Sequence, residues 1–194
     1  MSPPLPPRGT PSVSRLARFR IVSIAVALAV VWVPRATAGD GMQWLTAGVR
    51  GGIDDRLYHD DLRQVEAFAS WSLPWSHRWS SGWSLNTNLE ASVGALWAAG
   101  DSAWIGMAGP GVTVSPENKA VIFSMGFNPT LITRHTFGDL ELGGPIAFST
   151  HAGVAVSVGR QLVFGYRFQH MSNANLYTPN PGVDMHMLEV SYRF

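Results

Sequence analysis

From Trp83 to Trp97 the chain alternates without a break. One parity reads Trp83, Leu85, Thr87, Leu89, Ala91, Val93, Ala95, Trp97; the other reads Ser84, Asn86, Asn88, Glu90, Ser92, Gly94, Leu96. Period two with one apolar and one polar face is the pattern of a β-strand. Soluble strands run ~5–6 residues, whereas ~9–11 residues cross a bilayer. Trp at both ends matches the aromatic girdles at the two membrane interfaces. A soluble sandwich or lipocalin-like barrel, with the apolar parity turned inward, is the alternative. The Asn and Glu of the polar parity suit a small polar lumen better than a soluble core.

The rest of the chain supports the same class. It is 46% hydrophobic and only 14% charged, with 20 Gly and eight Trp among 194 residues. That charge content is too low for a disordered chain. The mean hydropathy of +0.07 is too low for a bundle of membrane helices. The chain has no Cys, which excludes disulfide scaffolds, Cys-ligated zinc, iron–sulfur clusters and thiol nucleophiles.

The one long apolar run, Ile21 to Val33, follows Arg8, Arg15, Arg18 and Arg20 and precedes Ala36-Thr37-Ala38. This is the pattern of a secretory signal peptide with an A-x-A cleavage site. The expected organisation is a leader over 1–38 and one β domain over 39–194. An uncleaved anchor would need ~20 apolar residues. The leader holds five Arg and no acid, so 39–194 carries nine basic and 13 acidic residues, a net charge of −4. No electrostatic footprint for a nucleic acid remains.

Turn residues divide 39–194 into eight strands, near 42–53, 62–74, 82–97, 104–114, 120–134, 145–158, 161–172 and 183–194. Asp54-Asp55, Gly100-Asp101, Gly138-Asp139 and Asn180-Pro181-Gly182 mark the connections on one side. Pro74 to Ser81, Ser115 to Asn118 and Gly159-Arg160 mark the other. The expected fold is all-β, an eight-stranded antiparallel transmembrane β-barrel. An even count puts both termini on one side, the periplasmic side of an outer-membrane barrel. The C-terminal run Leu188, Val190, Tyr192, Phe194 on one parity resembles the closing strand of such barrels.

Parity also sorts the last hairpin. Leu162, Phe164, Tyr166, Phe168, His170 and Ser172 share one face; Val163, Gly165, Arg167, Gln169 and Met171 share the other. A charge facing lipid near mid-bilayer costs ~2–4 kcal/mol, so Arg167 belongs to the lumen and His170 and Ser172 face outward. Counting back from Phe194 puts Leu188, His186 and Asp184 outward as well. A Ser hydroxyl needs an imidazole to take its proton, and the imidazole needs an acid to orient it. His170, Ser172 and Asp184 have those chemistries. A polar cluster at a barrel rim explains the same residues without catalysis.

His170-Met171-Ser172-Asn173-Ala174, with Pro179-Asn180-Pro181-Gly182-Val183-Asp184 downstream, resembles the C-terminal motif of the PagL family. These are eight-stranded outer-membrane lipid A 3-O-deacylases. The close match covers about 25 residues; the rest agrees in architecture and length. The resemblance implies His170 as general base, Ser172 as nucleophile and Asp184 as the acid, where the family's best-known form has Glu. Glu189 is the other nearby acid, but its parity is luminal. Asn173 matches a family Asn associated with oxyanion stabilisation. The implied substrate is lipid A of lipopolysaccharide, met laterally in the outer leaflet of a Gram-negative outer membrane. The implied step is hydrolysis of its 3-O ester through an acyl-serine.

No cofactor or metal is expected, because His59, His77, His135, His151 and His186 are scattered without a metal-ligand spacing. His186 is expected as an interfacial packing residue. Asp54-Asp55 and Asp60-Asp61 read as a solvated loop, with a cation site bridging lipid A phosphates as the sharper alternative. Arg50 and Arg167 should pair with Glu66, Glu90 and Glu189 in the lumen. A non-enzymatic barrel (structural, adhesin or lipid-binding) is the competing function, and a soluble periplasmic binder the third. A homodimer shielding the active face is compatible with the first reading.

Overall fold

A computed structural model describes residues 42–55 and 62–194. The leader, His59 and Asp60-Asp61 lie outside the described residues. Ten strands follow in order: β1 (Trp44–Asp54), β2 (Arg63–Arg78), β3 (Trp83–Ala98), β4 (Asp101–Pro116), β5 (Val121–Ile132), β6 (Thr136–Phe137), β7 (Leu140–Glu141), β8 (Ile146–Val158), β9 (Leu162–Ser172) and β10 (Val183–Arg193). Eight of them close an antiparallel barrel in the order β1-β10-β9-β8-β5-β4-β3-β2. Closure leaves no unpaired edge in the barrel, which is what a sheet needs to sit in lipid. The eight strands correspond to the eight expected from the turn residues. The two-residue strands β6 and β7 form a separate hairpin within the β5–β8 connection.

Inside and outside follow the sequence parity. Along β3, Asn88, Glu90, Gly94, Leu96 and Ala98 are buried in the lumen, and Val93 points out. The outer wall carries large apolar side chains, with Leu188 72% and Trp104 64% exposed. Burying such a wall in water-free lipid recovers ~25 cal/mol per Å². A core this polar surrounded by a wall this apolar inverts the soluble pattern.

The lumen divides along its axis. Its middle is an ion-paired network. Arg50 pairs with Glu66 and, at 3.0 Å, with Glu90. Arg167 donates twice to Glu90, at 2.9 and 2.7 Å, and lies 3.8 Å from Glu189. This is the pairing that parity implied, and it satisfies charges that could not stand alone in a narrow barrel. Toward the turns after β2, β4 and β8, the lumen opens into a cavity of about 440 Å³ with a mixed polar and apolar lining. Toward the opposite end it is closed by an apolar plug that includes Leu96, Ile105, Met107, Ile132, Met171, Val183, Met185 and Met187. Phe137, Leu140 and Leu142, from the β6–β7 hairpin and the residue after it, are buried in this plug. The hairpin therefore caps the barrel end at which β9 finishes and β10 begins.

Candidate active site

β9 ends on Phe168-Gln169-His170-Met171-Ser172, and alternation makes the rest automatic. Gln169 and Met171 are buried in the lumen, while His170 and Ser172 lie on the outer wall. β10 begins Val183-Asp184-Met185, with Val183 and Met185 fully buried and Asp184 outward. Antiparallel register places Asp184 directly opposite His170. Their side chains meet at 2.6 Å, His170 Nδ1 to Asp184 Oδ1. An ionised carboxylate only accepts, so Nδ1–H donates, and in the neutral imidazole Nε2 is then the acceptor. His170 is partly exposed and Asp184 mostly buried.

Ser172 lies two residues beyond His170 on the same face, opposite Phe148 of β8. Such a step spans ~6.5–7 Å of strand. Among the described residues no hydrogen bond joins Ser172 to His170. In unliganded sites the nucleophile–base contact commonly tightens only on binding. Ser172 lines a small cleft of about 10 Å³ together with Ile132, Leu142, Ala147, Met171 and the loop residues Asn180 to Gly182.

Asn173 is buried, and its donors are committed. Nδ2 donates to the carbonyls of Leu142 at 3.0 Å and Pro179 at 2.9 Å. Its backbone N–H donates to Asn180 Oδ1 at 3.0 Å, and Asn180 Nδ2 reaches Asn175 Oδ1 at 3.1 Å. The Asn-Pro-Gly element downstream thus folds back to hold the loop that follows the serine. Ala174 and Asn175, with φ of 50° and 62°, make the turn itself.

Sequence reasoning missed the other wall of this loop. Leu142-Gly143-Gly144 lies against it so closely that a Cβ on Gly144 would fall 2.4 Å from the Tyr177 ring. The Gly-Gly-Pro run at 143–145 was the signal, since paired glycines mark a close backbone approach. His186 packs as expected: its Nδ1 meets the Tyr166 hydroxyl at 2.5 Å and its ring lies edge-on to Phe168. Glu189 faces Arg167, away from His170. No group of three or more His, Asp or Glu able to hold a metal ion occurs among the described residues.

The family model described as "Lipid A 3-O-deacylase (PagL)" matches residues 63–193, from β2 through the end of β10. The chain belongs to the PagL family. A curated member from Bordetella bronchiseptica, the lipid A deacylase PagL, is 32% identical over 69 residues, covering 36% of this chain and 39% of that protein. The match thus spans about two fifths of the relative's length. The crystal structure of the outer membrane enzyme PagL superposes with a TM-score of 0.67 at 18% identity, covering 77% of this chain and 99% of that one. The PagL fold is the fold of this chain, an eight-stranded closed barrel.

Proposed function

We propose that this chain is an outer-membrane serine ester hydrolase that removes the 3-O acyl chain from lipid A. The observation that carries the reading is the Asp184–His170 pair, in cross-strand register on the apolar outer wall, with Ser172 on the same face. The family description and the relative's name supply the substrate class. The apolar wall and the leader over 1–38 support the outer membrane as its location, after cleavage behind Ala38.

In the proposed mechanism a lipid A molecule slides laterally until its 3-O ester meets Ser172. His170 Nε2 takes the Ser172 proton as Oγ attacks the carbonyl. Asp184 stabilises the imidazolium and keeps Nδ1 protonated. Collapse of the tetrahedral intermediate releases the sugar 3-hydroxyl, which receives the proton from His170. Water, activated by the same imidazole, then hydrolyses the acyl-serine and frees the fatty acid. Asn173 enters this mechanism as the oxyanion residue. Nδ2 holds two loop carbonyls, so donation to an oxyanion requires it to release one of them. All the proposed residues come from one chain. A homodimer that covered this wall would restrict lipid access rather than complete the site.

The test is the mass spectrum of lipid A from outer membranes holding the full chain, beside a Ser172→Ala control. Loss of one 3-hydroxyacyl group with the wild type alone is the expected result. Unchanged lipid A in both, with the barrel folded in the membrane, would transfer the reading to a binding or structural barrel.

A further inference from the structure

Asp184 sits where β1 leaves the barrel ladder. The last paired residue of β1 is Asp54, opposite Met185. One step beyond, Asp184 turns both backbone groups toward β1. Its carbonyl accepts the N–H of Asp55 at 2.9 Å. In an unbroken antiparallel ladder its own N–H would go to a carbonyl of the same residue. Here it goes to a side chain, Asp54 Oδ1, at 3.2 Å. A carboxylate oxygen thus takes a backbone donor of the residue that pairs with His170. The same end of β1 also comes near His186, with Asp55 Oδ2 3.7 Å from its Nε2. His186 in turn meets Tyr166 of β9, the strand that carries His170.

We infer that Asp54 is a positioning residue for the triad acid: its Oδ1 fixes the Asp184 backbone so that the short Asp side chain reaches His170. The inference rests on the esterase reading above. Its physical basis is the length of the arm. Asp has one methylene fewer than Glu and fewer rotamers with which to correct a displaced backbone. Catalytic geometry tolerates only ~0.5 Å of error. The backbone must therefore be held: the β9–β10 ladder and the Asp55 N–H hold it by main chain, and Asp54 Oδ1 holds it at its own N–H.

The experiment uses the full barrel, purified in detergent, with wild type, Asp54→Ala, Asp54→Asn and Asp101→Asn compared. Asp101 pairs with Arg134 on the rim and serves as the acidic control. Lipid A deacylation is followed alongside the downfield Nδ1–H proton resonance of His170, assigned by its loss in Asp184→Asn. Asp54→Ala is expected to lower kcat about tenfold with KM within about twofold, the order set by one charge-assisted hydrogen bond. The resonance should broaden or vanish in the same variant. Asp54→Asn keeps an acceptor oxygen and should restore both readouts; Asp101→Asn should match wild type. Heat-modifiable mobility on gels reports that each barrel is folded. The inference is overturned if Asp54→Ala keeps the resonance and the rate, if Asp54→Asn is as impaired as Asp54→Ala, or if Asp54→Ala fails only by failing to fold. A wild type that shows the resonance but no deacylation would refute the esterase reading while the resonance still decides the positioning role.

Discussion

Replacing Asp184 by Asn tests the charge relationship at the heart of the site. The substitution keeps volume and hydrogen-bonding capacity and removes one negative charge. In the proposed transition state His170 is an imidazolium whose Nδ1 lies 2.6 Å from Asp184 Oδ1. Coulomb's law gives about 6 kcal/mol for that pair at an effective dielectric of ~20 and about 1.6 kcal/mol in bulk water. His170 is 43% and Asp184 19% exposed at the side chain, so the site lies between these limits. A value of about 3–4 kcal/mol follows, equivalent to a loss of roughly 10²–10³ in rate. The loss should fall on kcat, because the charge pair forms only as Ser172 gives up its proton. The assay is initial-rate deacylation of lipid A by the purified barrel, with product mass as the readout. A variant within threefold of wild type would refute the triad assignment of Asp184. A variant with unchanged kcat and raised KM would make it a binding group instead.

Three other substitutions test the surrounding structure. Asn173→Ala removes two buried donors from Leu142 and Pro179; about 2–3 kcal/mol of stability should be lost, seen as a lower unfolding temperature together with lost turnover, and an unchanged melt would contradict the loop-holding role. Glu90→Gln leaves Arg50 and Arg167 without their shared carboxylate; a cost of about 3–5 kcal/mol should appear in urea titrations of the barrel in lipid vesicles, and a midpoint within error of wild type would deny the network its role. Leu188→Arg places a charge on the most exposed apolar position of β10; it should cost about 2–4 kcal/mol in bilayers, whereas a water-exposed wall would tolerate it.

Much of this was legible because alternation has only two phases. Once Arg167 was assigned to the lumen, the outward placement of Phe168, His170 and Ser172 followed. The C-terminal phase at Phe194 did the same for Asp184 and His186. Cross-strand distance was not legible. The ten residues between β9 and β10 leave several registers open, and only the folded hairpin sets Asp184 opposite His170. β2 extends to Arg78, although Pro74 argued for a turn because it has no N–H to give a ladder. The proline sits in a register shift between Ser72 and Ser76, where no donor is required. The β6–β7 hairpin escaped notice because two-residue strands carry no periodicity, and its burial comes from Phe137, Leu140 and Leu142 joining distant strands. The double commitment of Asn173 was hidden for a related reason: both carbonyls it serves belong to loops whose approach depends on Gly143 and Gly144.

The central claim is that Ser172, on the lipid-facing wall, is the nucleophile. The most direct measurement is reaction of the purified barrel with a serine-directed alkyl phosphonate, followed by peptide mass mapping. The account expects one adduct, on the peptide containing Ser172, absent in Ser172→Ala and strongly slowed in His170→Ala. A barrel that deacylates lipid A yet carries no adduct there, or carries it on another residue, would contradict the account.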